Sequence, residues 1–180
     1  MTEKSFIAGF GGQGVVSFGR FWVECAMEEG LEVSFFPFYG AEKRGGISRA
    51  SLIVSTEEIA SPLVVRADSA VVMDENSLAV GEEILEPGGL LIINSSLVRS
   101  APSRRDIRAV SVPATKLAEE LGDGRAANAV MLGALAELTG AIKLSALTQA
   151  LSSLFGESKP KLIALNATAV AAGRKAARAG

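Results

Sequence analysis

The chain has 180 residues, 48% of them hydrophobic and 21% charged, with a formal net charge of −2. That is the profile of one globular domain able to hide roughly 69% of its extended-chain surface, and the near-neutral charge gives no general pull toward nucleic acid. One cysteine, Cys25, and no histidine exclude an internal disulfide, an iron–sulfur cluster of its own, an imidazole base, a His-Asp triad and ordinary zinc sites. The longest apolar runs are far short of the ~18 residues that span a bilayer, and Met1-Thr2-Glu3-Lys4 begins no signal peptide, so the expected address is the cytoplasm, away from membranes.

Ser5 to Gly9 reads as a short buried strand. Glycines follow, then apolar residues at Val15, Phe18, Trp22, Val23 and Ala26, whose period is that of an amphipathic helix ending near Gly30. Leu31 to Phe36 is β-branched and aromatic and predicts a strand stopped by Pro37. Ile47 to Ser55 is the next strand. Ser69 to Met73 and Gly89 to Ile93 are apolar throughout, as strands covered on both faces are. Between them the sequence predicts a helix over 76–86 and a turn at Pro87-Gly88-Gly89, and Ile107 to Val112 is a final strand. From Pro113 onward four alanine- and leucine-rich helices are expected, with Pro113 and Pro160 at first helical positions and Gly122, Gly140 and Gly156 just past helix ends. No repeat or linker divides the chain, so 1–180 is read as one domain. The fold expected is α/β: three-layer and Rossmann-like, a mainly parallel sheet with helices on both faces and a helical C-terminal part.

Two segments carry chemistry. Gly9-Phe10-Gly11-Gly12-Gln13-Gly14 fits a G-x-G-x-x-G loop between strand and helix, where glycines permit a tight turn and free N–H groups attract an anion. A dinucleotide site also expects an acid at the end of the second strand, but Ser34, Phe35, Phe36 and Pro37 stand there. The loop therefore suits a phosphate or carboxylate, or is a close turn without ligand. The second segment follows Phe35, Phe36, Phe38 and Tyr39: Gly40-Ala41-Glu42-Lys43-Arg44-Gly45-Gly46, charged and bracketed by glycines. Aromatics beside Arg and Glu suit an interface core or a lid over an anion; a surface loop with its aromatics tucked inward fits the same residues.

Smaller features have ordinary readings. Cys25 lies beside the apolar stripe and reads as packing. Asp74 and Glu75 suit a helix N-terminus, and Asn94-Ser95-Ser96 either faces the glycine-loop crevice or is a polar turn. Gly122-Asp123-Gly124 reads as a helix break. Arg174, Lys175 and Arg178 are expected to complement the end of the last helix.

Together, G-F-G-G-Q-G, F-Y-G-A-E-K-R-G-G, E-P-G-G-L-L-I-I-N-S-S and R-A-A-N-A-V-M-L-G-A, in this order from about Ser5 to Gly173, resemble the gamma subunit of the 2-oxoacid:ferredoxin oxidoreductases. That family includes the pyruvate, 2-ketoisovalerate, 2-oxoglutarate and indolepyruvate enzymes. The resemblance implies a subunit of a hetero-oligomeric complex that decarboxylates a 2-oxoacid on thiamine diphosphate and passes electrons through iron–sulfur clusters to ferredoxin. In most members the acyl group goes to coenzyme A. Thiamine diphosphate, magnesium and the clusters are then expected on alpha, beta and ferredoxin-type partner subunits, with no catalytic residue and no metal ligand on this chain. Gly9, Gly11, Gly12, Gln13 and Gly14 match the family's glycine loop. Tyr39, Gly40, Glu42, Arg44, Gly45 and Gly46 match its second motif, where Ala41 and Lys43 replace a common Pro and Met; Asn94 and Asn128 match two asparagines. The second motif is expected to face the thiamine-bearing subunits and shape the entry for coenzyme A or substrate, with Arg44 offering positive charge and Glu42 orienting it. A free-standing nucleotide- or coenzyme-A-binding module and a purely structural scaffold subunit are the competing readings.

Overall fold

Thr2–Phe10 (β1) opens the chain, and in the computed structural model, which describes residues 1–38, 46–156 and 158–179, it is a central strand of a six-stranded sheet ordered β2-β3-β1-β4-β5-β6. The other strands are Glu32–Phe38 (β2), Ile47–Ser55 (β3), Ala67–Val72 (β4), Leu85–Asn94 (β5) and Arg108–Val112 (β6). β1, β4, β5 and β6 pair in parallel, while β3 runs antiparallel to both β1 and β2. Six helices accompany them: Val15–Glu28 (α1), Leu78–Ile84 (α2), Ala114–Glu120 (α3), Ala127–Thr139 (α4), Leu144–Phe155 (α5) and Pro160–Ala179 (α6).

The period-two alternation of β1 divides the molecule into layers. Ile7 points into a core shared with α1 and the C-terminal helices, built around Phe18, Trp22, Leu52, Met131 and Leu135. Phe6 and Ala8 point into a smaller core with Leu78, Leu91 and Ile93, under α2. The sheet therefore carries helices on both faces, as its apolar strands require, and each fully buried large side chain contributes roughly 1.5–3 kcal/mol. Cys25 is wholly buried among these side chains, which pushes its thiol pKa upward and makes it a packing residue. Among the described residues no helix is long and apolar enough to cross a membrane.

Three local expectations are corrected. Pro37 does not stop β2, which runs on to Phe38; β2 is an edge strand, where a residue without an N–H can be accommodated. The helix expected over 76–86 is a 3-10 turn at Glu75–Ser77 leading into α2, which ends at Ile84. Pro87-Gly88-Gly89 lies inside β5, where the pairing register with β4 shifts, so the expected turn is a bulge. Asp74 caps the 3-10 turn, its Oδ1 accepting from the Ser77 N–H at 3.0 Å, and Asp123 caps a second such turn at Gly124–Ala126 by accepting from the Arg125 N–H at 3.0 Å.

The basic residues near the C-terminus have a partner that sequence did not suggest. Arg174 and Arg178 both donate to the Glu137 carboxylate, at 2.7 and 2.6 Å, tying α6 to α4. The Arg178 hydrogen bond, helped by Arg174, holds the Glu137 carboxyl below its ordinary 4.5. A depressed carboxyl stabilises the fold above its unfolded pKa and loses that contribution as pH falls through the folded value. Glu137→Gln is therefore expected to lower the urea midpoint at pH 7, with the gap to wild type closing as the pH is taken down through 4.5 and below.

Candidate functional site

The sheet's order reverses at β1, with β3 on one side and β4 on the other, and ligands of open α/β sheets bind outside the carboxyl ends of strands at such a point. Gly9 to Gly14 sit there. The Phe10 N–H donates to Gln13 Oε1 at 2.7 Å and the Gln13 N–H to the Phe10 carbonyl at 3.0 Å, closing the loop on itself. Gln13 Nε2 reaches the Met73 carbonyl at 3.5 Å, so this side chain braces the ends of β1 and β4. Gly14 then takes φ +77 to start α1, a region that costs other residues roughly 1–2 kcal/mol. A Cβ at Gly14 would also displace the Asn128 amide, so loop and α4 meet at this glycine.

The α1 N-terminus has no side-chain cap and no acidic residue in its first turn. Its first N–H groups have no acceptor within the helix and leave positive potential at the loop. In front of it lies a cleft of about 700 Å³ lined by Gly12, Gln13 and Gly14 together with Asp123, Arg125 and Asn128. Ser17, Arg20 and Phe21 continue one wall along α1; Leu154, Phe155 and Leu162 of α5 and α6 supply an apolar one. Arg125 and Asp123 pair at 2.6 Å, which pushes the Asp123 carboxyl down to about 2 and leaves the pair neutral overall. Arg20, exposed on α1, is the further cation of the lining.

Of the residues matched to the glycine loop, Gly12, Gln13 and Gly14 line the cleft; Gly9 and Gly11 are not part of its lining. Asn128 lines it too, with a buried Oδ1 that has no hydrogen-bond partner among the described residues. Asn94 does not. It is wholly buried, donating to Thr115 Oγ1 at 2.9 Å and to the Met73 carbonyl at 3.4 Å, and so holds β5 to the cleft floor. Tyr39, Gly40, Glu42, Arg44 and Gly45 lie outside the described residues. Gly46 is described, and its carbonyl accepts from the Gly11 N–H at 3.2 Å, so the second motif ends against the glycine loop. A dinucleotide acid at the end of β2 would not serve this loop in any case: β3 separates β2 from β1, about 10 Å across two strand spacings.

A family model described as pyruvate ferredoxin/flavodoxin oxidoreductase matches residues 4–176. The chain belongs to this family. A relative in it, the ketoisovalerate oxidoreductase subunit VorA of Methanothermobacter thermautotrophicus, is 37% identical over 174 residues, 96% of this chain and 36% of that protein. The chain thus spans about a third of that relative's length. The keto/oxoacid ferredoxin oxidoreductase gamma subunit from Geobacter sulfurreducens superposes with a TM-score of 0.87 at 26% identity, covering 99% of this chain and 98% of that one. A 2-oxoglutarate:ferredoxin oxidoreductase from Magnetococcus marinus, solved with 2-oxoglutarate, coenzyme A and succinyl-CoA bound, gives 0.90 at 26% identity and covers 99% of this chain and 31% of its own.

Within this pyruvate ferredoxin/flavodoxin oxidoreductase domain, sequence reasoning missed Arg20, Asp123 and Arg125 as parts of one cleft. A signal existed for Arg20: Ser17 and Arg20 are polar at helical spacing on a helix whose other residues are largely apolar. Arg125 opens the motif that also holds Asn128, but Asp123 carried no signal beyond the helix break, because its place in the cleft depends on how α4 packs.

Proposed function

We propose that the chain acts as the gamma subunit of a cytoplasmic, thiamine-diphosphate-dependent 2-oxoacid:ferredoxin oxidoreductase, inactive alone and assembled with alpha, beta and ferredoxin-type subunits. The carrying observation is the near end-to-end likeness to a gamma subunit, 99% of one chain on 98% of the other. Thiamine diphosphate, magnesium and the iron–sulfur clusters belong on partner chains in this reading. That division is supported by the chain's donor types: it has one cysteine, Cys25, buried in the core, and no histidine.

The cleft is proposed to take coenzyme A, which supplies the thiol that receives the acyl group. Its residues fit such a ligand. The open α1 N-terminus and Arg20 offer charge and donors to phosphate oxygens, while Phe21, Phe155 and Leu162 exclude water from an apolar segment. Asn128 abuts the loop at Gly14 and so shapes the cleft wall beside the α1 N-terminus. The loop over 39–46 is proposed to face the thiamine-bearing subunits, a reading supported by the Gly11 to Gly46 hydrogen bond that seats its end beside the cleft.

Purification of the tagged chain from its own cells tests this reading. Recovery with thiamine- and cluster-bearing chains, and viologen reduction with one of several 2-oxoacids, is expected. Recovery of the chain alone, stabilised by a nucleotide or coenzyme A, would instead make it an independent binding module.

A further inference from the structure

On the far side of the sheet from the cleft, α2 packs mainly on β1, β4 and β5, and its Val80, Glu83 and Ile84 meet β2 and β3 only across a groove. The outer face of those two strands carries Phe36 opposite Ser51 and Phe38 opposite Arg49, and Ser51 in turn lies opposite Phe6. The Phe36 and Phe38 rings meet edge to face with centroids 4.8 Å apart, yet remain 40% and 38% exposed. Beside them is a groove of about 470 Å³ walled by Phe6, Phe38, Val64 and Val65; Val65 is 82% exposed, and Ser51, only 1% exposed, has a hydroxyl without a hydrogen-bond partner among the described residues.

We propose that this face docks a different chain of the same complex, one that inserts an apolar side chain between Phe38 and Val65 and sets a carboxylate beside it. The proposal rests on the reading of the chain as a subunit. Charge selects the occupant. Arg49 and Arg66 flank the groove, and among the described residues neither has a carboxylate partner. Arg66 instead donates through Nη1 to the Glu83 carbonyl at 2.8 Å, which fixes a full positive charge at the rim. An incoming Asp or Glu gains from both cations, and the apolar centre supplies the area term. A second copy docked by two-fold symmetry would bring these cations against their own equivalents, with Glu83 the one acid of the lining. Addition of a strand to the β2 edge is opposed by Pro37 in that strand, which has no N–H to give, so side chains on the face and not backbone at the edge make the contact.

The test uses the co-purified complex carrying a photoreactive phenylalanine analogue in place of Val65, and separately Arg49→Glu. The expected results are an adduct to a partner chain, at a peptide with an apolar residue next to Asp or Glu, and about a tenfold loss of co-elution for Arg49→Glu that deepens as salt is lowered. The isolated Arg49→Glu chain should keep its wild-type urea midpoint. An active wild-type complex in which the position-65 probe labels nothing, or only a second copy of this chain, overturns the proposal while leaving the subunit reading intact. A wild-type chain that recovers no partner and supports no 2-oxoacid-dependent viologen reduction overturns both.

Discussion

Gly173→Ala lowers the unfolding free energy by about 2 kcal/mol, although alanine is the better helix former. A Cβ at Gly173 in α6 would overlap the Val130 carbonyl oxygen of α4, and one at Gly133 in α4 would overlap the Val170 carbonyl oxygen of α6. The two backbones thus cross in contact, at mutually facing glycines. Neither obstruction is a flexible side-chain end, so the helices must separate. Overpacking of this kind costs up to about 3 kcal/mol, while the gain in helix propensity returns about 1. Urea titration of the variant beside Ala171→Gly, an exposed site on the same helix, separates the two effects. The control should lose about 1 kcal/mol by propensity alone. A Gly173→Ala midpoint at or above wild type would show that α4 and α6 do not meet this closely.

Gly14→Ala is expected to raise the apparent KM for coenzyme A of the assembled complex by tenfold or more, with a smaller change in the KM for 2-oxoacid. Two effects combine. The φ of +77 at Gly14 is strained for alanine by roughly 1–2 kcal/mol, and the methyl displaces the Asn128 amide on which the loop rests. Either shift re-aims the first N–H groups of α1 away from an anion in the cleft. The double variant Gly14→Ala/Asn128→Ala makes room for the methyl without relieving the φ, so it should recover part of the loss. A double-mutant cycle that is additive would mean that loop and α4 are not coupled.

The fold was largely legible because its strands state their burial. Val71, Val72 and Leu90 to Ile93 are apolar on both faces and sit between helical layers, while the glycine loop lies where strand turned to helix in the chain. What could not be read was edge position and long-range pairing. Pro37 breaks an interior strand but not an edge one, and nothing local tells β2 that it is an edge. Arg174 and Arg178 look like helix-end charges until Glu137, 37 and 41 residues earlier, is brought beneath them. The cleft shows the same limit. Gly12 to Gly14 and Asn128 stand out by motif, whereas Asn94 shares that motif status but turns out to brace the floor with both ends of its amide. Asp123 and Leu162 join the site only through the packing of α4 against α1 and of α6 against α4.

Reconstitution decides whether this chain is a working subunit. Partner subunits expressed without this chain are titrated with it, and viologen reduction driven by 2-oxoacid and coenzyme A is followed. Activity that is absent at the start, rises with added chain and saturates at one chain per set of partners is the predicted result. Partner subunits that are fully active with no chain added, or activity that stays absent at saturation, would show that the chain is not a required subunit of such a complex.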